Sequence, residues 1–182
     1  LIDASRSKYP ITFNLQYGRG NPTFLGGSTS YDSIIFLISG AGDISYKLSQ
    51  RAGKNIVSYN YPSHGNASVT GIEQVVFGAV NDANHTFFVY DMDGSDVRDV
   101  YLRADGIDDR FFVVASKDVQ FHVDGEEHID GDILTVDPHG ATVKKDDGQV
   151  LFMGKMPINY LNIEEVLIRP WSEVPSNGFV AH

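Results

Sequence analysis

The sequence contains no cysteine, which excludes disulfide bonds, thiolate metal sites and cysteine nucleophiles. Cations are also scarce, since 14 Lys and Arg stand against 24 Asp and Glu and give a formal net charge of −10. A field of that sign repels nucleic-acid phosphates and anionic membrane surfaces. The longest apolar run covers residues 34–38 and is far too short to span a membrane. We therefore exclude nucleic acid and membrane insertion as primary interactions.

The sequence also lacks the patterns that mark helices and common active sites. Helical periodicity is almost absent, and no Gly-x-Ser-x-Gly element nominates a nucleophilic serine. Gly18-Arg19-Gly20 does not stand between a strand and a helix, as a phosphate-binding loop would require. No enzyme active site is therefore indicated, and we expect a protein that is not an enzyme.

What the sequence does contain is apolar and polar residues in alternation. Phe121 and Val123 alternate with Gln120 and His122, the pattern of a half-buried strand. Continuous apolar runs, typical of strands covered on both faces, occupy residues 34–38, 87–90, 111–114 and 150–153. Aromatic residues make up 12% of the chain and also favour strands.

Five Asp-Gly dipeptides separate these runs, and this pair is favoured in tight hairpins. They are Asp93-Gly94, Asp105-Gly106, Asp124-Gly125, Asp130-Gly131 and Asp147-Gly148. No internal repeat recurs at a fixed period. The sequence therefore predicts an all-β fold, an antiparallel β-sandwich of jelly-roll or galectin-like type with about a dozen short strands. We expect one domain over residues 1–182, with a loop-rich segment at 18–30 and an extended C-terminal arm at 170–182.

The segment from residue 91 to 96 suggests a metal site. Asp91, Asp93 and Asp96 place acidic oxygens around a glycine turn, which suits a hard cation such as Ca²⁺. The alternative is a solvated hairpin turn that binds no ion.

Residues 124–132 form the densest acidic stretch, and together with His122 and His139 they offer ligands to a divalent metal. The spacing matches no familiar ligand pattern. Two consecutive hairpins with solvated charges explain this stretch equally well.

Aromatic residues suggest a carbohydrate-binding surface. Trp171, the only tryptophan, could supply a flat ring for a sugar, with Tyr59 and Tyr61 on a strand that exposes one face. Trp171 is equally suited to anchoring the C-terminal arm on the core.

The segment from residue 121 to 170 resembles a known family. The elements that carry the resemblance are Gly131-Asp132-Ile133-Leu134-Thr135-Val136-Asp137, Ala141-Thr142-Val143, Asp147-Gly148 and residues 163–170. They are similar to the galectin-like C-terminal sandwich of distal tail proteins, the baseplate hub proteins of long-tailed phages. The resemblance implies an oligomeric virion tail component that attaches other subunits or contacts host saccharide, and it implies no catalytic residues.

Three functions follow from these observations. The first is a structural or adhesion module, extracellular or in a virion, that assembles with other protein subunits as a homo-oligomer through its strand edges and contacts saccharide. The second is a carbohydrate-binding module or lectin, assisted by Ca²⁺ and otherwise without a cofactor. The third is a jelly-roll enzyme acting on polysaccharide, which requires a cleft with two carboxylates.

Overall fold

The computed structural model describes residues 1–16, 22–27, 31–38, 44–51, 53–59, 65–80, 83–126 and 131–173. Within these residues the chain forms seventeen strands and one short 3-10 helix. They are β1 (Ile2–Asp3), β2 (Thr12–Gln16), β3 (Thr23–Leu25), β4 (Ser33–Ile38), β5 (Ile44–Arg51), β6 (Lys54–Tyr59), β7 (Gly65–Thr70), β8 (Gln74–Val80), β9 (His85–Val89), β10 (Asp99–Asp105), β11 (Arg110–Val114), β12 (Gln120–Asp124), β13 (Ile133–Asp137), β14 (Val143–Asp146), β15 (Gln149–Phe152), β16 (Ile158–Leu161), β17 (Glu165–Ile168) and the 3-10 helix Trp171–Glu173.

These strands form two sheets that pack face to face. The nine-stranded sheet has the order β1-β3-β7-β6-β5-β9-β11-β13-β17, and the eight-stranded sheet has the order β14-β15-β16-β12-β10-β8-β4-β2. No α-helix occurs in the described part of the chain. The predicted all-β class is therefore confirmed.

The predicted antiparallel arrangement is wrong for most of the molecule. Among the described strands, antiparallel pairing is confined to the β5–β6–β7 meander and to β14–β15–β16. All other pairings are parallel, because the chain crosses to the opposite sheet after each strand from β1 to β5, from β7 to β14 and from β16 to β17. Consecutive strands in these stretches therefore do not pair with each other. We call one strand of the eight-stranded sheet and the following strand of the nine-stranded sheet one coil. Each of these strands pairs with the corresponding strand of the next coil.

The coils differ in length, although their strands stay in register. In the eight-stranded sheet Val75 pairs with Val100, Val100 with Phe121 and Phe121 with Ile158. The last step is the longest because the β14–β15 hairpin is inserted within it. Unequal coils explain why no fixed period is visible in the sequence.

The core lies between the sheets and consists of stacked side chains from successive coils. The rings of Tyr46 and Phe87 are 5.4 Å apart, and those of Phe87 and Phe111 are 5.1 Å apart. Tyr46 also meets Phe77 of the opposite sheet at 4.9 Å. The prediction of strands covered on both faces is confirmed for residues 111–114, which are all buried, and is wrong for residues 150–153, where Met153 is 78% exposed.

Only one of the described Asp-Gly pairs closes a hairpin between neighbouring strands. Asp147-Gly148 joins β14 to β15, with Gly148 at a φ of 68°. Asp93-Gly94, Asp105-Gly106 and Asp124-Gly125 instead lie where the chain crosses from one sheet to the other. Asp130 lies outside the described residues. The prediction of a hairpin at each pair is wrong for these three crossings.

The segment of residues 121–170 combines both kinds of pairing, since β14, β15 and β16 pair antiparallel with one another. β12 pairs with β16 and β13 with β17, both in parallel. The predicted loop at 18–30 contains β3 among its described residues, and the described start of the C-terminal arm contains the 3-10 helix.

Candidate functional site

Trp171 lies against the outer face of the nine-stranded sheet. Its backbone N–H donates a 2.7 Å hydrogen bond to Asp137 Oδ2. Its ring centroid lies 4.7 Å from that of Tyr90, 6.1 Å from that of Phe88 and 6.3 Å from that of Phe112. Trp171 is half-buried by these contacts. The structure therefore shows Trp171, at the described start of the C-terminal arm, docked on the sheet beside Tyr90.

The structure does not show Tyr59 and Tyr61, the two candidate sugar-binding tyrosines, on an exposed surface. Tyr59 faces the core and is only 5% exposed. Its hydroxyl occupies space that a side chain at Gly65 would fill. Tyr61 lies outside the described residues. The ring of Tyr59 is therefore placed to pack the core and not to stack on a ligand from outside.

Two of the three candidate metal ligands, Asp91 and Asp93, lie together, and a histidine lies beside them. Asp91, Asp93 and His139 offer ligand atoms that all lie within 4.8 Å of one another. His139 Nδ1 is 3.8 Å from Asp91 Oδ2. It is the sole group of three or more potential metal ligands among the residues that the structure describes.

Asp96 is directed elsewhere. Its carboxylate accepts hydrogen bonds from the Gly71 backbone N–H and from the Asn55 side-chain amide. These bonds tie the crossing before β10 to the strands β6 and β7. Asp96 thus holds neighbouring strands together, and it does not lie beside Asp91 and Asp93 as predicted.

Asp93 is held by several donors. Its Oδ1 accepts 2.8 Å hydrogen bonds from the Ser116 hydroxyl and the Lys117 backbone N–H, and Lys155 Nζ lies 3.5 Å from Oδ2. Partial burial raises the pKa of Asp93, but these hydrogen bonds and the Lys155 charge outweigh it and hold the pKa below its ordinary value. Asp93 is therefore ionised and already partly neutralised by a lysine.

The acidic stretch 124–132 is dispersed in the part that the structure describes. Asp132 is buried and accepts a 2.8 Å hydrogen bond from the Asp109 backbone N–H. Asp124 accepts one from the Asn162 amide at 3.0 Å. Residues 127–130 lie outside the described residues. These described carboxylates act as acceptors for neighbouring coils.

His122 lies on the outer face of the eight-stranded sheet. Its ring stacks on Tyr101 at 4.3 Å with an interplanar angle of 7°. Its Nε2 is 3.4 Å from Asp99 Oδ1, and its Nδ1 is 3.5 Å from the Asn159 amide. A cavity of about 230 Å³ lies beside these rings. His122 is thus part of a polar row across this sheet, on a different sheet from the strand that precedes His139.

A larger groove, of about 710 Å³, lies on the outer face of the β5–β6–β7 meander. Its lining includes Lys47, Arg51, Ser58, Asn66, Tyr90 and Asp91. Ser58 Oγ donates to Asn66 Oδ1 at 2.6 Å. Lys47 Nζ lies 4.6 Å from the centre of the Tyr90 ring. The groove thus combines hydroxyl, amide, cationic and aromatic groups, and Asp91 connects it to the Asp91–Asp93–His139 cluster.

The sequence interpretation missed most of this groove. It identified Trp171, Asp91 and Asp93 but did not connect them, because they meet through strands far apart in the chain. Tyr90 links them, since it contacts Trp171 and precedes Asp91. One signal in the sequence could have identified the meander, namely the lack of Asp and Glu from residue 44 to residue 72.

β17 is the last strand of the nine-stranded sheet, and its apolar side chains are only partly covered. In register, Val166 and Ile168 continue the core positions of Leu134 and Val136. Ile168 is nevertheless 39% exposed. No described strand pairs with the outer edge of β17. The unpaired edge of β17 and the partly exposed Ile168 together form the open end of the stack of coils.

Among the described residues, no helix is long and apolar enough to cross a bilayer. Comparison with protein families, with curated proteins and with solved structures finds no match to this chain.

Proposed function

We propose that this chain is a non-enzymatic structural or adhesion module that assembles with other protein subunits through its strand edges. The observation that supports this proposal is the open end of the stack at β17. An unpaired edge strand presents backbone donors and acceptors that a strand from another subunit can pair with. The partly exposed Ile168 adds apolar area that assembly would cover.

The backbone of β17 allows a direct test. Glu165 donates its N–H to the carbonyl of Asp132, just before β13, and Arg169 donates its N–H to the carbonyl of Val136 in β13. By the alternation of a strand, the N–H of Ile168 points to the free edge. Ile168→Pro removes that outward donor, whereas Ile168→Ala shortens the side chain and keeps the donor.

Light scattering over a concentration series would measure assembly against the monomer mass of 20.1 kDa. We expect the wild type to form a discrete oligomer, Ile168→Ala to form a weaker one and Ile168→Pro to stay monomeric. A wild type that is monomeric at every concentration would overturn the proposal.

The resemblance of residues 121–170 to phage distal tail proteins gives this proposal its biological setting, a virion tail or another extracellular assembly. That setting depends on the resemblance alone. In the same setting, contact with host saccharide is the adhesive role that we propose.

A second candidate function is carbohydrate binding assisted by Ca²⁺. The observation that favours it is the groove beside Tyr90 and Trp171, which continues into the Asp91–Asp93–His139 cluster. Hydroxyl and amide groups next to aromatic rings suit sugars, which have polar edges and apolar faces. Carboxylate oxygens are ligands that Ca²⁺ prefers.

A thermal-shift measurement would test the calcium part. If the cluster binds Ca²⁺, the melting temperature rises with Ca²⁺ concentration. Asp93→Asn should abolish the rise, and Asp147→Asn, on the exposed turn after β14, should leave it unchanged. A Ca²⁺-independent melting temperature in the wild type contradicts a calcium site.

A further inference from the structure

The β5–β6–β7 meander is a basic region in an acidic protein. Residues 44–72 contain no Asp or Glu, although the chain has 24 of them and a net charge of −10. The same stretch contains three cations, Lys47, Arg51 and Lys54. Chance placement of the acids along the chain would put several of them here, so the sign of the local charge is a distinct property of this meander.

The strands bring these cations to one surface. Tyr46 and Leu48 face the core, and therefore Lys47 and Arg51 point outward from β5. Arg51 stands directly opposite Lys54 in the antiparallel β5–β6 pair. Like charges at directly opposed positions repel each other. Within the described part of the chain none of the three cations forms a salt bridge, so a bound anion would relieve this repulsion.

Lys47 is held in place beside the groove. Its ammonium lies 4.6 Å from the centre of the Tyr90 ring, a cation–π contact that restricts a flexible side chain. Tyr90 is itself fixed against Trp171 at 4.7 Å. The Ser58–Asn66 pair lies along the same groove. A positive charge, an aromatic ring and neutral hydrogen-bonding groups are therefore arranged together.

We infer that this groove binds an anionic saccharide, a chain carrying carboxylate or sulfate groups. This inference rests on the proposed carbohydrate-binding function and names its ligand class. The acidic groups of the saccharide lie near Lys47, Arg51 and Lys54, where they neutralise the cations. Hydroxyl groups of neighbouring sugars bond to Ser58, Asn66 and the Asp91 carboxylate, which repels anions and so sets the orientation of the chain.

Isothermal titration with oligosaccharides of matched length would test the inference. The probes are an oligogalacturonate, a sulfated dextran and an unmodified dextran. We expect the two charged probes to bind more tightly than the neutral one, and their affinity to fall as salt rises to about 0.5 M. The Lys47→Gln, Arg51→Gln double variant should weaken both charged probes by about tenfold.

A matched control is the Lys144→Gln, Lys145→Gln double variant, which removes two exposed cations from β14 of the other sheet. It should leave binding unchanged within about twofold. An equal loss of affinity for the charged probes in both double variants would show that they are attracted non-specifically to any cation, and it would overturn the inference. Equal binding of neutral and charged dextran would overturn the ligand class and leave the carbohydrate-binding function standing.

Absence of binding to all three probes would overturn the carbohydrate-binding function itself. Oligoglutamate serves as a fourth probe. Binding of oligoglutamate as tight as that of the oligogalacturonate would show that charge alone is recognised and would overturn the saccharide assignment.

Discussion

The carboxylate of Asp109 accepts a 2.7 Å hydrogen bond from the backbone N–H of His85, the corresponding residue one coil earlier in the chain. The arrangement repeats along this edge. Asp132 accepts from the Asp109 N–H at 2.8 Å, and Glu164 accepts from the Asp132 N–H at 2.8 Å. Each acid therefore satisfies a backbone donor at the start of a strand of the preceding coil, where the sheet hydrogen bonds begin.

Substitution of Asp109 tests how much this contact stabilises the fold. Asp109→Ala leaves the buried His85 N–H without this acceptor, and we expect a loss of about 1–3 kcal/mol in the free energy of unfolding. Asp109→Asn keeps a side-chain oxygen and should cost less. Urea denaturation measures both values, and an equal loss in the two variants would contradict the role of the acceptor.

The glycines at the crossings between sheets lead to a second prediction. A Cβ at Gly125 would lie 2.1 Å from Asp132 Oδ2 and 2.2 Å from the Asn162 carbonyl oxygen. A Cβ at Gly140 would meet no atom within 4 Å, although its φ of 79° disfavours other residues. We expect Gly140→Ala to cost about 1–2 kcal/mol through backbone strain alone. Gly125→Ala should cost clearly more, as measured by chemical denaturation.

The same glycines show why strands could be predicted and their pairing could not. The alternation at Phe121 and Val123 arises because every second side chain of a strand faces the core. Parallel and antiparallel strands show the same alternation. Asp124-Gly125 resembles a hairpin turn, but Gly125 is required because the neighbouring coil passes against it. Such a contact between residues far apart in the chain cannot be predicted from the residue types next to Gly125 in the sequence.

Trp171 provides a spectroscopic prediction, since it is the only tryptophan. Its ring packs at its edge against Phe112, whose own ring stacks on Phe88 at 4.9 Å. Phe112→Ala removes part of this contact and should shift the tryptophan emission to longer wavelength by exposing the ring. Phe13→Ala, on β2 of the other sheet, should leave the emission unchanged in the folded protein. Identical spectra for wild type and Phe112→Ala would argue against the observed docking.

The fourth prediction concerns pH. Because the folded-state pKa of Asp93 is depressed, Asp93 stabilises the fold at pH values above its unfolded pKa, and this contribution is lost as pH falls through the folded pKa. Asp93→Asn should therefore cost about 1–2 kcal/mol at neutral pH. The difference from the wild type should shrink below a pH of about 4, near the ordinary pKa of aspartate. Unfolding curves measured across this range would show a constant difference if the prediction is wrong.

The candidate site could be predicted only in fragments. Asp91 and Asp93 were recognisable because they flank a turn, but His139 joins them from the segment after β13. Asp96 fits the same local pattern and is nevertheless used to hold Gly71 and Asn55. Local spacing indicates which side chains can bind a metal, whereas the stacking of coils decides which of them meet.

The inserted β14–β15 hairpin has a consequence for protein engineering. Phe121 and Ile158 remain paired in register although the hairpin lies between them in the sequence. The stack thus accepts extra chain within a coil without altering the strands before and after it. Foreign peptides grafted into the exposed turn at Asp147-Gly148 should therefore be displayed on an unchanged scaffold.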